Sequence, residues 1–139
     1  MRLKTLSGKL RYKRCNKYRI DWDCEERSKP QYLVKKFFEP YWKNCVCYRE
    51  FPVFGTLLKI DLYNASYKIA VEIDGTGVHN EFNKFFHKDR IGYFNSITRD
   101  FKKEQFCEIN NITLIRIYDT EIEKLSVEFI KEKFGISII

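Results

Sequence analysis

The chain has 139 residues, 44% of them apolar and 32% charged, with a net charge of +7. That fits one domain with enough apolar side chains for a core, and it excludes a disordered chain; no apolar run approaches the roughly 20 residues of a membrane span. The odd set of five cysteines (Cys15, Cys24, Cys45, Cys47 and Cys107), with no secretory signal at the amino terminus, reads as reduced thiols of a soluble, intracellular, cytoplasmic protein.

Residues 1–27 form a basic arm or short strands, with alternation across Lys9 to Arg14 and Tyr18 to Trp22. Residues 28–139 form the main domain. Ser28-Lys-Pro30 predicts a helix start, and Leu33, Val34, Phe37, Phe38 and Tyr41 follow at helical spacing, with an end or kink near Glu39 because Pro40 follows. Cys45 to Val53 reads as a strand, Gly55-Thr56 as a turn, Leu57 to Leu62 as a second strand, Asn64-Ala-Ser as a hairpin turn and Tyr67 to Ile73 as a third strand. A polar loop over 75–90 follows. Ile91 to Asn110 is the longest predicted helix, with Ile91, Phe94, Ile97, Phe101 and Phe106 as its apolar set. Ile112 to Tyr118 is the last strand, and a final helix runs from Asp119 or Thr120 through Lys133 to Gly135. Helix, three strands, helix, strand, helix is a mixed α/β order. Only two alanines, against many Lys, Asn, Ile, Tyr and Phe, suggest an AT-rich coding genome such as a virus has.

Pairing the second and third strands side by side brings Asp61 to Glu72, with Asp74 two residues on. Carboxylates clustered on a sheet are costly unless a positive charge sits among them, and a divalent metal ion is the usual solution. This points to a metal-dependent hydrolase. A zinc site on Cys15, Cys24, Cys45 and Cys47 is the rival metal reading; its gaps of eight and one differ from the usual close pairs.

Asp61 near a strand end, Val71-Glu-Ile-Asp-Gly75, His79, Arg99-Asp100 with Lys103, and Leu114-Ile-Arg-Ile117 together resemble the PD-(D/E)XK nuclease superfamily. Within it the likeness is to the very-short-patch repair endonucleases and related small phage and bacterial nucleases, over about residues 28–122. The resemblance implies a restriction-endonuclease-like central mixed sheet flanked by helices, Mg²⁺ or Mn²⁺ at the carboxylates, and hydrolysis of DNA phosphodiesters in phage or mobile-element recombination, repair or genome processing. The chain departs from the family at Asp74, where a lysine is usual, and at Gln31, where the first helix often carries an acid; Glu39 lies further along.

Asp61 and Glu72 are the expected metal ligands, with Asp74 as a residue supporting them, a ligand of a second metal ion, or a turn residue before Gly75. His79 is the expected proton acceptor or donor. Asp100 and Lys103 share a helix face: Lys103 would offset charge developing on phosphorus, with Asp100 holding the lysine or a histidine. Arg99 and His87 would touch phosphate, as would the arm residues Arg11, Lys13, Arg14, Lys17 and Arg19, with Tyr12 and Tyr18 available for stacking. Lys102 reads as solvated. Glu50 is an auxiliary acid or an exposed strand residue. The expected partner is DNA, with no membrane, and a homodimer would permit two cuts. The rival to an enzyme is a nuclease fold that only binds DNA or a protein.

Overall fold

Ser28 ends the extended amino-terminal part by capping α1 (Lys29–Trp42), its hydroxyl accepting the Gln31 N–H at 3.3 Å with Pro30 in the first turn. In this computed structural model, which describes residues 1–75 and 90–139, α1 does not end at Glu39. Pro40 removes one helix hydrogen bond, yet the helix runs on to Trp42. Packing accounts for this: Phe38 and Trp42 are fully buried and stack with centroids 4.1 Å apart, and Trp42 Nε1 donates to the Ile138 carbonyl at 2.9 Å.

Before α1, β1 (Arg2–Lys4) and β2 (Leu10–Tyr12) form an antiparallel hairpin. After it, β3 (Cys47–Pro52), β4 (Lys59–Asn64), β5 (Ile69–Asp74) and β6 (Thr113–Tyr118) form a four-stranded sheet in that order. β3, β4 and β5 pair antiparallel, while β5 and β6 pair parallel, with α2 (Arg90–Ile109) between them in sequence. The protein is therefore mixed α/β, as the element order predicted, with a central mixed sheet flanked by helices, as the resemblance implied.

One sheet face buries Leu62, Ile69, Val71, Ile115 and Ile117 against Val34, Phe38 and Trp42 of α1 and Ile130 of α3 (Val127–Phe134). The other buries Tyr48, Tyr63 and Ala70 against Phe106 and Cys107 of α2 and Leu3 of the amino-terminal hairpin. The final helix begins later than the sequence suggested. Residues 119–124 form a 3-10 turn, and Ser126 restarts the chain as a cap, accepting the Phe129 N–H at 2.9 Å; Gly135, at φ 71°, ends α3.

The apolar stripe expected to bury α2 does not do so. Phe94, Ile97 and Phe101 are exposed, whereas Phe106 and Cys107 are buried. The sheet-facing side of α2 is set by charge contacts of Asp100, Lys103 and Glu104 upstream and by Phe106 and Cys107 downstream. At about 100° per residue the exposed stripe lies well round the helix from Lys103, Phe106 and Cys107, and the exposed Glu104 borders it. Among the described residues, no helix is long and apolar enough to cross a membrane.

The amino-terminal hairpin is docked on this body. The side chain of Asn110, just past α2, accepts the Lys4 N–H at 2.7 Å and donates to the Lys4 carbonyl at 3.0 Å and the Phe106 carbonyl at 2.9 Å. Asn110→Ala leaves the Lys4 N–H and carbonyl without these partners, so a loss of about 1–2 kcal/mol in urea unfolding is expected. Earlier proteolytic cleavage within residues 1–20 is expected with it; a change under about 0.5 kcal/mol would contradict this docking.

Candidate active site

The β4–β5 ladder pairs Asn64 with Ile69, Tyr63 with Ala70 and Leu62 with Val71, then stops. The next residues in register are Asp61 and Glu72, and here side chains replace the backbone rung. The Ile73 N–H donates to Asp61 Oδ2 at 2.9 Å, and the Asp61 N–H donates to Glu72 Oε2 at 3.4 Å. Each carboxyl thus reaches across to the other strand's backbone.

The neighbouring hairpin explains why the strands part here. Tyr48 and Phe51 pack into the same cluster although three residues apart, as do Ile60 and Tyr63, which strict alternation forbids. The slip falls at Glu50, at φ 47°, opposite Asp61 and missing from an otherwise continuous β3–β4 register. A left-handed, non-glycine residue costs on the order of 1–2 kcal/mol. Glu50 and Asp61 line a small cavity of about 20 Å³ with Glu26, Gln31, Lys35 and Arg49, room for about one water.

On the α2 side, Glu72 is buried and forms an ion pair through Oε1 with Lys103 Nζ. That oxygen accepts no well-directed hydrogen bond among the described residues, so its partner is a charge alone. Burial pushes the Glu72 carboxyl up to about 8, reinforced by hydrogen bonding and repulsion from Asp61 and opposed by Lys103. Asp61 and Glu72 are therefore brought together, as predicted.

Asp74 goes elsewhere. It lies 3.5 Å from Arg116 of β6, and burial raises its pKa against the pull of that guanidinium. Arg116 also lies 3.5 Å from Asp100 Oδ1 and 3.4 Å from Glu104 Oε1, and it donates to the Asp100 carbonyl at 3.4 Å. Asp100 accordingly holds Arg116, not Lys103. The reason is register: Arg116 pairs with Glu72 across the parallel strands and so faces α2 beside it. Among the described residues no group of three or more His, Cys, Asp or Glu side chains is placed to hold a metal, the cysteines included, and Asp74 is met by Arg116. Cys15 and Cys47 sit in different core clusters. Burial pushes the Cys47 and Cys107 thiols up to about 12, away from reactivity.

Arg99 and Lys102 are exposed, and Arg11, Arg14, Lys17 and Arg19 are exposed with Lys13 half-buried. None of these makes an ion pair or hydrogen bond with Asp61 or Glu72. His79 and His87 lie outside the described residues. Glu39 pairs with Lys36 at 2.9 Å, away from the carboxylates, whereas Gln31 lines the cavity beside Asp61.

Two elements were not read from sequence. Arg116 falls within the strand and the Leu114–Ile117 segment of the resemblance but has no role assigned from sequence; its signal is a lone cation between Ile115 and Ile117, which alternation places on the face opposite theirs. The second is a buried ion cluster: Glu26 accepts Arg49 through two nitrogens, at 2.9 and 3.3 Å, and lies 3.3 Å from Lys35 Nζ. Lys35 beside Val34 and before Phe38, on the buried face of α1, was its signal.

These features define a mixed α/β protein with paired carboxyls at a sheet end, faced by a lysine. No family model matches the chain, and no solved structure matches it. It is 31% identical over 87 residues to uncharacterized protein 033L of Invertebrate iridescent virus 3, covering 63% of this chain and 44% of that protein. It is 38% identical over 60 residues to uncharacterized protein 307L of Invertebrate iridescent virus 6, covering 43% of this chain and 30% of that protein. The chain spans less than half the length of these curated relatives. Both are viral, in keeping with the alanine-poor composition.

A carboxyl held above its usual 4.5 binds its proton more tightly folded than unfolded. The stability it contributes is complete below about 4.5 and is lost as pH rises through about 8. In metal-free buffer, the thermal midpoint of Glu72→Gln relative to wild type should therefore rise steadily from pH 5 to pH 8.5. A difference flat or falling over that range would show that Glu72 is ionised throughout.

Proposed function

We propose that this chain is a metal-dependent DNA endonuclease of the PD-(D/E)XK kind. The observation that carries the reading is the Asp61–Glu72 pair, two carboxyls replacing a sheet rung at the point where the strands part.

The donor set suits the ion. The paired carboxyls suit Mg²⁺ or Mn²⁺, which take oxygen donors; Mg²⁺ in particular keeps several waters. Zinc, which is bound mostly by nitrogen and sulfur in closed sites, fits less well. When bound, such an ion offsets phosphate charge and lowers the pKa of a coordinated water.

The chain's own residues would do the rest. Asp61 and Glu72 hold the ion, and the Ile73 N–H fixes the Asp61 carboxylate in place. Lys103 keeps a positive charge beside Glu72, where it can also meet phosphate oxygen. Arg116 ties α2 to β6 through Asp100 and Glu104, so Lys103 stays aimed at the sheet end. His79 is the proposed proton carrier. DNA is the proposed substrate, and a dimer would allow paired cuts.

One observation favours a second reading, a DNA-binding module without catalysis: Lys103 is already engaged by Glu72, and no lysine stands at position 74. Incubating the purified chain with Mg²⁺ or Mn²⁺ and branched, mismatched and single-stranded DNA separates the two. Cleavage by wild type is expected, with a loss of at least about 100-fold in Asp61→Asn and in Glu72→Gln while both remain folded. No cleavage of any substrate, with Asp61→Asn binding DNA like wild type, would leave the binding module standing.

A further inference from the structure

We propose that the cleft between the β1–β2 turn and the β3–β4 turn binds the phosphate backbone of DNA, with Lys9 and Arg11 as its cationic contacts. The proposal rests on the DNA reading above, but not on cleavage.

The two turns come from sequence segments far apart and are locked together. Thr5 is buried, and a Cβ added at Gly55 would sit 3.2 Å from its methyl group, so the turns touch at the closest approach that glycine allows. Gly55 also needs its glycine for φ 84°. Each turn is braced internally: the Thr5 N–H donates to the Lys9 carbonyl at 2.9 Å, and the Thr56 hydroxyl donates to the Val53 carbonyl at 2.9 Å. The result is a fixed cleft of about 280 Å³ lined by Ser7, Lys9, Arg11, Gly55 and Thr56 among others.

Its chemistry is one-sided. No acidic residue lines it, and none occurs anywhere in residues 1–20, which carry Arg2, Lys4, Lys9, Arg11, Lys13, Arg14, Lys17 and Arg19. Lys9 and Arg11 are exposed, alternate along the hairpin and form no ion pair among the described residues. Two exposed cations beside the Ser7 hydroxyl, which shares a hydrogen bond with the Thr5 hydroxyl at 2.9 Å, match a phosphodiester, which presents only acceptors.

Position supports the match. Lys59 opens β4 and Asp61 lies two residues further, so Leu57, at the tip of the β3–β4 turn, is at most ~14 Å from Asp61 along the chain. One strand of DNA could occupy the cleft and pass the carboxyls within a few nucleotides.

The test uses the full chain and a fluorescent duplex, read by anisotropy in EDTA across a salt series. Lys9→Ala with Arg11→Ala is expected to weaken binding at least about tenfold at 0.1 M salt and to lower the salt slope by about 2, one unit per phosphate contact. Lys124→Ala with Lys131→Ala, which removes the same charge from exposed sites outside the cleft, is expected to cost less than about threefold. Unfolding midpoints should not move, since all four side chains are exposed. Equal losses in both pairs would reduce the effect to overall charge and overturn the proposal, as would no loss in the first pair or no duplex binding by wild type at low salt. A chain that cuts DNA while the cleft pair binds normally overturns the cleft alone; one that binds through the cleft and cuts nothing overturns the nuclease reading alone.

Discussion

The arrangement turns on one missing rung. Where β4 and β5 would continue their ladder past Leu62 and Val71, the two backbones separate and their amides are met by carboxyl oxygens instead. A buried N–H without an acceptor is costly, so a strand split needs something to fill it. Filling it with Asp61 and Glu72 places two acids against each other in a partly dry setting. The pairing of strands and the clustering of charge are thus one structural decision, and the left-handed Glu50 on the adjacent strand marks where the sheet yields to permit it.

That concentration of negative charge organises its surroundings. Lys103 meets Glu72, and Arg116 meets Asp74, Asp100 and Glu104. These contacts orient α2 over the sheet in its upper part, where apolar packing does not. On the opposite side, Glu26, Lys35 and Arg49 form a second buried network beside the cavity that Asp61 lines. The sheet end therefore lies between two ion clusters, each fixing one helix. Their well-buried members, Glu26, Lys35 and Glu72, are each met by an opposite charge, which offsets part of the cost of burying them.

The element order and the Asp61–Glu72 pairing were legible because both follow from short-range rules: alternation, turn residues and the two-residue period that sends opposed residues to one face. The Ser28 cap and the Gly135 stop were legible for the same reason. What failed was longer in range. Pro40 marks a helix end locally, but the burial of Trp42 overrides it. Phe94, Ile97 and Phe101 keep a helical period, yet the period cannot say whether a helix faces a core or a set of charges. Asp100 and Lys103 were rightly placed on one face, but their partners come from different strands, and strand register is not written in either residue. Arg116 was hidden because a cation in an alternating strand looks like any solvated residue until a helix is laid across it.

The buried pair is itself informative about purpose. Ion pairs taken out of water contribute little net stability, and apolar residues of similar volume commonly serve a fold as well or better. Glu72 and Lys103 are therefore poorly explained as a stabilising device, and the upward push on Glu72 means that folding works against its charged form. A carboxyl kept in such a place gains most when a stronger cation than one ammonium arrives, because the low-polarity surroundings that penalise an uncompensated charge also amplify its attraction to a divalent one. Under the nuclease proposal, the energetic cost of the split sheet would be offset when a hard cation binds, in addition to the role these acids already have in filling the missing rung.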